Sequence, residues 1–359
     1  MRLLRLLLFP FSFFYALVVI IRNWAYDIGI LKSRRFKVPV ISVGNLSVGG
    51  AGKSPMTEYL VGILKDDFKV ATLSRGYGRR TKGFLAVKTS SIAEDIGDEP
   101  LQFKRKFPEI TVAVCEDRVE GIKELNRHHD VIVLDDAFQH RAVKPGLSIV
   151  LFDYGSLWKF QWFLPTGDLR EPLSGRKRAD IIVITKAPEG LSEEERRDLT
   201  VKVAPFPHQQ VFFSSFQYAS LLDIAGSRSE LNLSDVKPDT HVLLLTGIAN
   251  PAPLIEHIKL FSANISHYQY PDHHQFTKKN IIKLVREFKG ITSSDKIIIT
   301  TEKDAQRLNS YHLQELLRAL PVYYLPVKAA IQSPDEERFN DLIIEYVRKH
   351  PVNHRVHKA

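Results

Sequence analysis

The chain carries a single cysteine, Cys115, among 359 residues. No disulfide can close within it, and a metal centre built on cysteine clusters is excluded. A reducing, cytosolic setting is the natural reading. Internal repeats and low-complexity tracts are missing. Long hydrophobic runs are scarce: residues 6–21 carry no charge, but Arg5 and Arg22 bound the run and Pro10 breaks it. A bilayer span needs about 20 apolar residues, so this one is short. Arg22, Asn23 and Trp24 follow it where a signal peptide would have small residues for cleavage, so cleavage is rejected. A buried core helix is the plain alternative. Terminal arginines and aromatic residues suit a membrane interface better. Acidic residues are in deficit: Lys plus Arg number 50 against 41 Asp plus Glu, a formal charge of +9. That surplus favours an anionic partner, whether nucleic acid, lipid headgroups or phosphorylated substrates. The cluster Lys32, Arg34, Arg35 and Lys37 either adds about 1 kcal/mol of lipid attraction per charge or is a solvated face.

The composition, 44% hydrophobic and 25% charged, is that of a folded globular protein, and the length suggests two domains. Short β-branched runs at 38–43, 70–73, 111–114, 131–134, 148–152 and 181–185 alternate with helical segments. That alternation predicts an α/β fold with a parallel sheet and flanking helices. After the run at 211–216 comes "SLLDIAGSRSELNLSDVKPD", polar and turn-rich. A second α/β set follows, with strands at 242–245, 297–301 and 322–325. Between them "TKKNIIKLVREFKG" puts Ile281, Ile282, Val285 and Phe288 on one helical face. The expected organisation is a membrane-associated helix over 1–30, a larger α/β domain over 31–215 and a smaller C-terminal α/β domain over 216–350. The tail "RKHPVNHRVHKA" is basic and expected to fray.

The stretch "VPVISVGNLSVGGAGKSP" has the order of a phosphate-binding loop: strand, glycine-rich turn, Lys-Ser, helix. The general pattern asks for Gly five residues before Gly52, and Ser47 stands there instead. Gly44, Gly49, Gly50 and Gly52 let the backbone turn tightly and point its N–H groups inward. Lys53 would reach the β- and γ-phosphates, Ser54 would ligate Mg²⁺, and a helix over 55–64 would add its N-terminal dipole. An ordinary strand-to-helix turn is the bland alternative. The partner motif "VIVLDDAFQH" delivers Asp135 and Asp136 to a strand's carboxyl end, where ligands of open α/β sheets bind. One of these carboxylates would hold Mg²⁺, directly or through water. Guanine-specific relatives of such folds carry T/N-K-x-D after a late strand. Here that place reads Thr185-Lys186-Ala187-Pro188, without the Asp, so ATP is preferred to GTP.

Four further patches are rich in polar groups at turns: "SRGYGRR", "DIGDEP", "PTGDLREPLSGRKRAD" and "YPDHHQF". They hold Arg75, Tyr77, Arg79 and Arg80; Asp98 and Glu99 in a loop before a helix at 100–106; Arg170 and Glu171; and Asp272, His273 and His274. Each has a bland reading as surface arginines, helix-capping acids or turn histidines. A zinc site at the histidines lacks metal-motif spacing and cysteine.

Together these residues resemble the tetraacyldisaccharide 4'-kinase family, the lipid A 4'-kinases of Gram-negative bacteria. The family loop resembles G-N-x-[ST]-V-G-G-x-G-K-[ST]-P, so Ser47 fits the family's own variant. The resemblance continues through "SRGYGR", "GDEP", "EDR", "DDAFQH", "LREP", "ITK", "DHH" and "TTEKDAQRL", up to about residue 330. It implies transfer of the ATP γ-phosphoryl to the 4'-hydroxyl of a tetraacyldisaccharide 1-phosphate, in lipid A biosynthesis, with Mg²⁺. It also implies a P-loop NTPase-like domain and a peripheral or monotopic place on the cytoplasmic face of the inner membrane. The implied nucleotide set is Asn45, Ser47, Val48, Gly49, Gly50, Ala51, Gly52, Lys53 and Ser54. The metal candidates are Ser54 with Asp135 or Asp136. Asp98 is the implied base, with His273 tuning it and Lys53 assisting catalysis. Arg75, Tyr77, Arg118, Gln139, Arg170 and Glu171 are candidates for the lipid substrate. An anionic membrane surface is the other expected partner; no nucleic acid and no obligate protein partner are inferred. A P-loop GTPase or metallochaperone would need guanine specificity and metal ligands, and a non-enzymatic nucleotide-binding protein would lack a base.

Overall fold

The computed structural model describes residues 5, 7–226, 228–309 and 311–350; the last nine residues of the basic tail lie outside them. Helix α1 (Phe9–Asp27) comes first, with Pro10 in its opening turn, where a missing N–H goes unnoticed. The first run of elements is β1 (Val40–Asn45), α2 (Lys53–Leu64), β2 (Val70–Ser74), β3 (Leu85–Ala86), the single turn α3 (Ala93–Ile96), α4 (Asp98–Lys106), β4 (Thr111–Val114), α5 (Arg118–Leu125), β5 (Val131–Asp135), β6 (Leu147–Asp153), β7 (Ile181–Thr185), α6 (Glu193–Val203) and β8 (Gln210–Tyr218). The second run is β9 (Leu222–Asp223), β10 (His241–Thr246), α7 (Ala252–Lys259), β11 (Ile265–Gln269), α8 (Lys278–Gly290), β12 (Lys296–Thr301), α9 (Glu302–Leu308), α10 (Tyr311–Leu317) and β13 (Val322–Leu325). The chain then closes with β14 (Val327–Ile331) and α11 (Glu336–Arg348).

Among the described residues nine strands form the first sheet in the order β14-β8-β7-β6-β1-β5-β2-β4-β3, and five form the second in the order β11-β10-β12-β13-β9. The central strands pair in parallel, and β1 lies between β5 and β6. Every residue of β1, β2, β5 and β7 is buried, as expected where helices cover both faces of a parallel sheet. Ile41, Val43, Val131 and Val133 face Met56, Leu60 and Leu64 of α2 in one core cluster. Because β1 is flanked on both sides by strands that come later in the chain, a crevice opens at its carboxyl end.

Three expectations shift. The helices begin earlier than read: Lys53 and Ser54 lie in the first turn of α2, and Asp98 and Glu99 open α4 rather than sitting in a loop. On α8, Ile282 is 49% exposed while Leu284 is 3% exposed, so the buried stripe runs Ile281, Leu284, Phe288. The expected 216–350 unit is also divided differently. β14 pairs antiparallel with β8, and Phe339 of α11 packs edge-on against Phe212 of β8 and against Tyr59 of α2. Residues 327–348 thus complete the first sheet and its core. The Lys-Ala-Ala stretch of β14 lacks the β-branched run that marks the other strands.

Candidate active site

The β1–α2 turn is shaped by contact as much as by conformation. A Cβ on Gly44 would strike Phe138 at 2.6 Å, and Gly52 sits at φ +80° against the Phe216 ring. The loop hands its Lys and Ser to the helix start, where dipole and free N–H groups favour anions. Lys53 Nζ lies 3.4 Å from Asn45 Oδ1 and 3.7 Å from Asp136. Not all of the expected loop faces the crevice. The Val48 amide donates to the Asp168 carbonyl at 2.7 Å, and Ser47 bridges to Leu169, so this half of the turn is committed to the neighbouring loop.

β5 delivers its two carboxylates to different surroundings. Asp135 is buried, accepts the Thr57 hydroxyl at 3.0 Å, and is pushed up to about 7 by burial and then by the charges of Glu99 and Asp136. Burial also works against Asp136, but Lys53 and Arg170 outweigh it and hold its carboxyl below the usual range. Arg170 pairs with it at 3.0 Å. Asp136 and His273 are two of the four non-glycine residues at positive φ among the described residues, a strain found most often at functional sites.

From the P-loop a chain of polar contacts crosses to the second sheet. Ser54 Oγ donates to Glu99 at 3.2 Å, Lys303 donates to the same Glu99 oxygen at 3.2 Å, and Lys303 lies 3.2 Å from His273 Nε2. His273 Nδ1 then meets Asp98 at 3.3 Å. Arg307 holds Asp98 through Nε at 3.0 Å and through Nη2, while its Nη1 is fixed by Asp304 at 2.8 Å. Asp98 is 6% exposed. Burial opposes its ionisation, yet the His273 hydrogen bond and the charges of Lys303 and Arg307 keep its carboxyl far below the ordinary range. All of these contacts fall on Oδ2. The two residues expected to act together, Asp98 and His273, therefore touch without any ligand.

The candidate substrate residues divide. Tyr77 lies with its ring centroid 5.0 Å from that of His273. Arg118 is buried, its Nε has no hydrogen-bond partner, and burial followed by the nearby Arg75 charge lowers its pKa. The charges of Asp136 and Asp135 also reach Arg118. Gln139 and Glu171 behave differently: Gln139 Nε2 donates to Glu171 at 2.8 Å, and Glu171, 1% exposed, pairs with Arg178 at 2.7 Å. Both sit beneath α1, whose Arg22 reaches the Gln139 carbonyl and whose Asn23 reaches Glu171. Their contacts seat the helix. Three residues went without a role in the sequence: Glu99, Lys303 and Arg307. Their signal was present in "DIGDEP" and "TTEKDAQRL", but the pairings of Glu99 with Lys303 and of Asp98 with Arg307 span 204 and 209 positions.

The residues present fit ATP and Mg²⁺. Asp135 is buried and crowded by the charges of Glu99 and Asp136, the Ser54 hydroxyl donates to that same Glu99, and the buried Asn45 Nδ2 has no hydrogen-bond partner. Among the described residues no group of three or more His, Cys, Asp or Glu is placed to hold a metal alone. That suits Mg²⁺, which usually takes one or two carboxylates plus substrate phosphates.

Residues 4–348 match the family described as Tetraacyldisaccharide-1-P 4'-kinase. The chain belongs to that family. A Tetraacyldisaccharide 4'-kinase of Phocaeicola vulgatus is 42% identical over 351 residues, covering 96% of each chain. One of Flavobacterium psychrophilum is 43% identical over 358 residues, covering 98% of this chain and all of its own. A crystal structure of LpxK from Aquifex aeolicus in complex with ATP superposes with a TM-score of 0.73 at 30% identity, covering 96% of this chain and 99% of that one. The α/β P-loop architecture and the ATP-dependent kinase class expected from the motifs hold, and with them tetraacyldisaccharide 4'-kinase activity in lipid A biosynthesis.

Proposed function

We propose that the protein moves the γ-phosphoryl of ATP to the 4'-hydroxyl of a tetraacyldisaccharide 1-phosphate through the crevice between β1, β5 and α4. The observation that carries this reading is the polar chain from Ser54 through Glu99, Lys303 and His273 to Asp98. It joins the phosphate loop to an ionised carboxylate across the two sheets. Lys53 and the α2 N-terminus bind the phosphates. Ser54, Asp135 and Glu99 would hold Mg²⁺, which neutralises charge on the transferring phosphoryl when bound. Asp98, oriented by His273 and Arg307, presents Oδ1 to the acceptor hydroxyl and receives its proton. A weak base suffices, because phosphoryl transfer asks mainly for positioning and charge neutralisation. Arg75 and Arg118 supply cations for a substrate phosphate, and Tyr77 packs beside the acceptor.

α1 supports a monotopic attachment to the cytoplasmic face of the membrane. It is long and apolar enough to cross a bilayer by length and composition. Yet Ser12, Tyr15, Arg22 and Asn23 spend their polar groups on the kinase domain, so it lies along that domain with its apolar side outward.

The test is ATP-dependent phosphorylation of tetraacyldisaccharide 1-phosphate in detergent micelles by the full chain. A product phosphorylated at the 4'-position is expected, with Asp98→Ala and His273→Ala each slow and the double variant little slower than Asp98→Ala. ATP turnover without a phosphorylated lipid would overturn the assignment. Additive losses would overturn the shared role of the pair.

A further inference from the structure

Beside α1, the loop after β6 reads Leu-Trp-Lys-Phe-Gln-Trp-Phe over 157–163. Trp158, Phe160 and Trp162 are 60%, 80% and 42% exposed. These rings do not come from a slack segment. Leu169 N donates to the Trp162 carbonyl at 2.9 Å, and Gly167 N donates to the Phe163 carbonyl at 2.8 Å. A Cβ on Gly167 would sit 2.2 Å from the Trp162 carbonyl oxygen, so the turn closes too tightly for any other residue. The fold thus holds three large aromatic rings out in water by a hydrogen-bonded frame.

The frame is also fastened to α1. Ser12 Oγ donates to Thr166 at 2.7 Å and accepts from the Thr166 amide at 3.0 Å, and Phe9 meets the Trp162 ring edge-on at 5.2 Å. Phe160 stacks edge-on with Trp162 at 4.9 Å. Leu7, Phe9, Phe13 and Phe14 of the helix region are all exposed, so loop and helix make one continuous apolar face. Soluble proteins rarely leave a patch of this size open. Its border is cationic: Lys202 lies 3.5 Å above the Trp158 ring, and Lys159 shares a cleft with Arg5. Tryptophan and phenylalanine with flanking lysines are the composition of an interfacial membrane contact.

We infer that the 157–163 loop is a second membrane-inserting element, which enters an anionic lipid surface beside α1 and fixes the tilt of the kinase domain over it. This rests on the membrane reading of α1 and adds a contact that the helix alone does not supply. One anchor leaves the body free to rotate about it. Two elements joined at Ser12 and Thr166 hold the crevice that contains Arg170 and Asp136 at a set height above the headgroups.

The chain has three tryptophans, at 24, 158 and 162, so Trp24→Phe confines fluorescence to the loop. With full-length Trp24→Phe protein and vesicles of phosphatidylglycerol and phosphatidylcholine, emission should shift to the blue and brominated acyl chains should quench it. A Trp158→Ser, Phe160→Glu double variant should sediment with those vesicles about tenfold more weakly or worse, while its ATP-dependent activity on detergent-dispersed substrate stays at wild-type level. Two results overturn the inference: unshifted emission from protein that sediments, or equal sedimentation of the double variant. Failure of the unaltered chain to sediment removes the membrane reading of α1 as well.

Discussion

At the carboxyl end of β12, Asp304 accepts the Gly247 amide at 2.9 Å, the Thr301 hydroxyl at 2.7 Å and Arg307 at 2.8 Å. At the carboxyl end of β5, Asp135 accepts the Thr57 hydroxyl at 3.0 Å and is crowded by two other acids. The contrast extends beyond these two residues. Among the described residues, all eight buried side-chain atoms without a hydrogen-bond partner belong to residues 45–214, including Asn45, Ser74, Arg118 and His140. Folded proteins leave few such groups. The first sheet keeps charge and hydrogen-bonding capacity in reserve for a ligand. The second spends its own internally, and what it builds is a fixed arm, Arg307, aimed at Asp98. Removing a polar group should therefore cost activity in the first and stability in the second.

The largest effect is expected from Lys53→Ala. A transition-state contact of this kind is worth about 2.7–4 kcal/mol, a hundredfold or more in turnover, and unfolding should barely change. Steady-state kinetics with thermal melts check both halves, and turnover within threefold of wild type would sink the P-loop role. Arg307→Ala should break the other way, lowering stability by about 3–5 kcal/mol because the buried Asp98 and Asp304 charges lose their partner. Denaturant unfolding measures it, and an unaltered midpoint would show that the second sheet's network is not structural. Asp135→Asn sharpens the contrast. It removes a buried carboxyl crowded by Glu99 and Asp136, so activity should fall while the melting temperature holds or rises.

The smallest effect concerns pH. Glu58 and Glu302 share Lys106 between the two units, at 2.6 and 3.2 Å. Burial and then the Glu302 charge push Glu58 up to about 7. A carboxyl raised in the folded state stabilises below its ordinary pKa, and that contribution fades as pH rises through about 7. Asp98, held low, acts with the opposite sign and loses its contribution as pH falls below the ordinary carboxylate range. Melting temperature should thus decline modestly from pH 5 to pH 8, and Glu58→Gln should flatten that slope.

Much of the first sheet could be read directly, because parallel strands buried on both faces appear as unbroken β-branched runs and a P-loop is contiguous in the chain. Lys53, Ser54, Asp135 and Asp136 stand out as candidates for that reason. The arm was not. Arg307 meets Asp98 across 209 positions, and no local pattern encodes such a pairing. Leu284 was missed in favour of Ile282 because adjacent apolar residues leave a helical face ambiguous by one position. The exposed rings at 158–162 belong to no motif and to no periodic segment, so nothing local in the sequence marks them.

Tyr218 and Val327 are opposed across the β8–β14 ribbon, about 5 Å apart at their Cα atoms. The whole second sheet leaves and re-enters the first at that one pair of residues. In terms of gene architecture it is a cassette set into a hairpin. A version from a relative could be spliced at two peptide bonds without disturbing the order of the nine strands. What such a transplant would have to keep in register is the arm, since Arg307 must still arrive at Asp98.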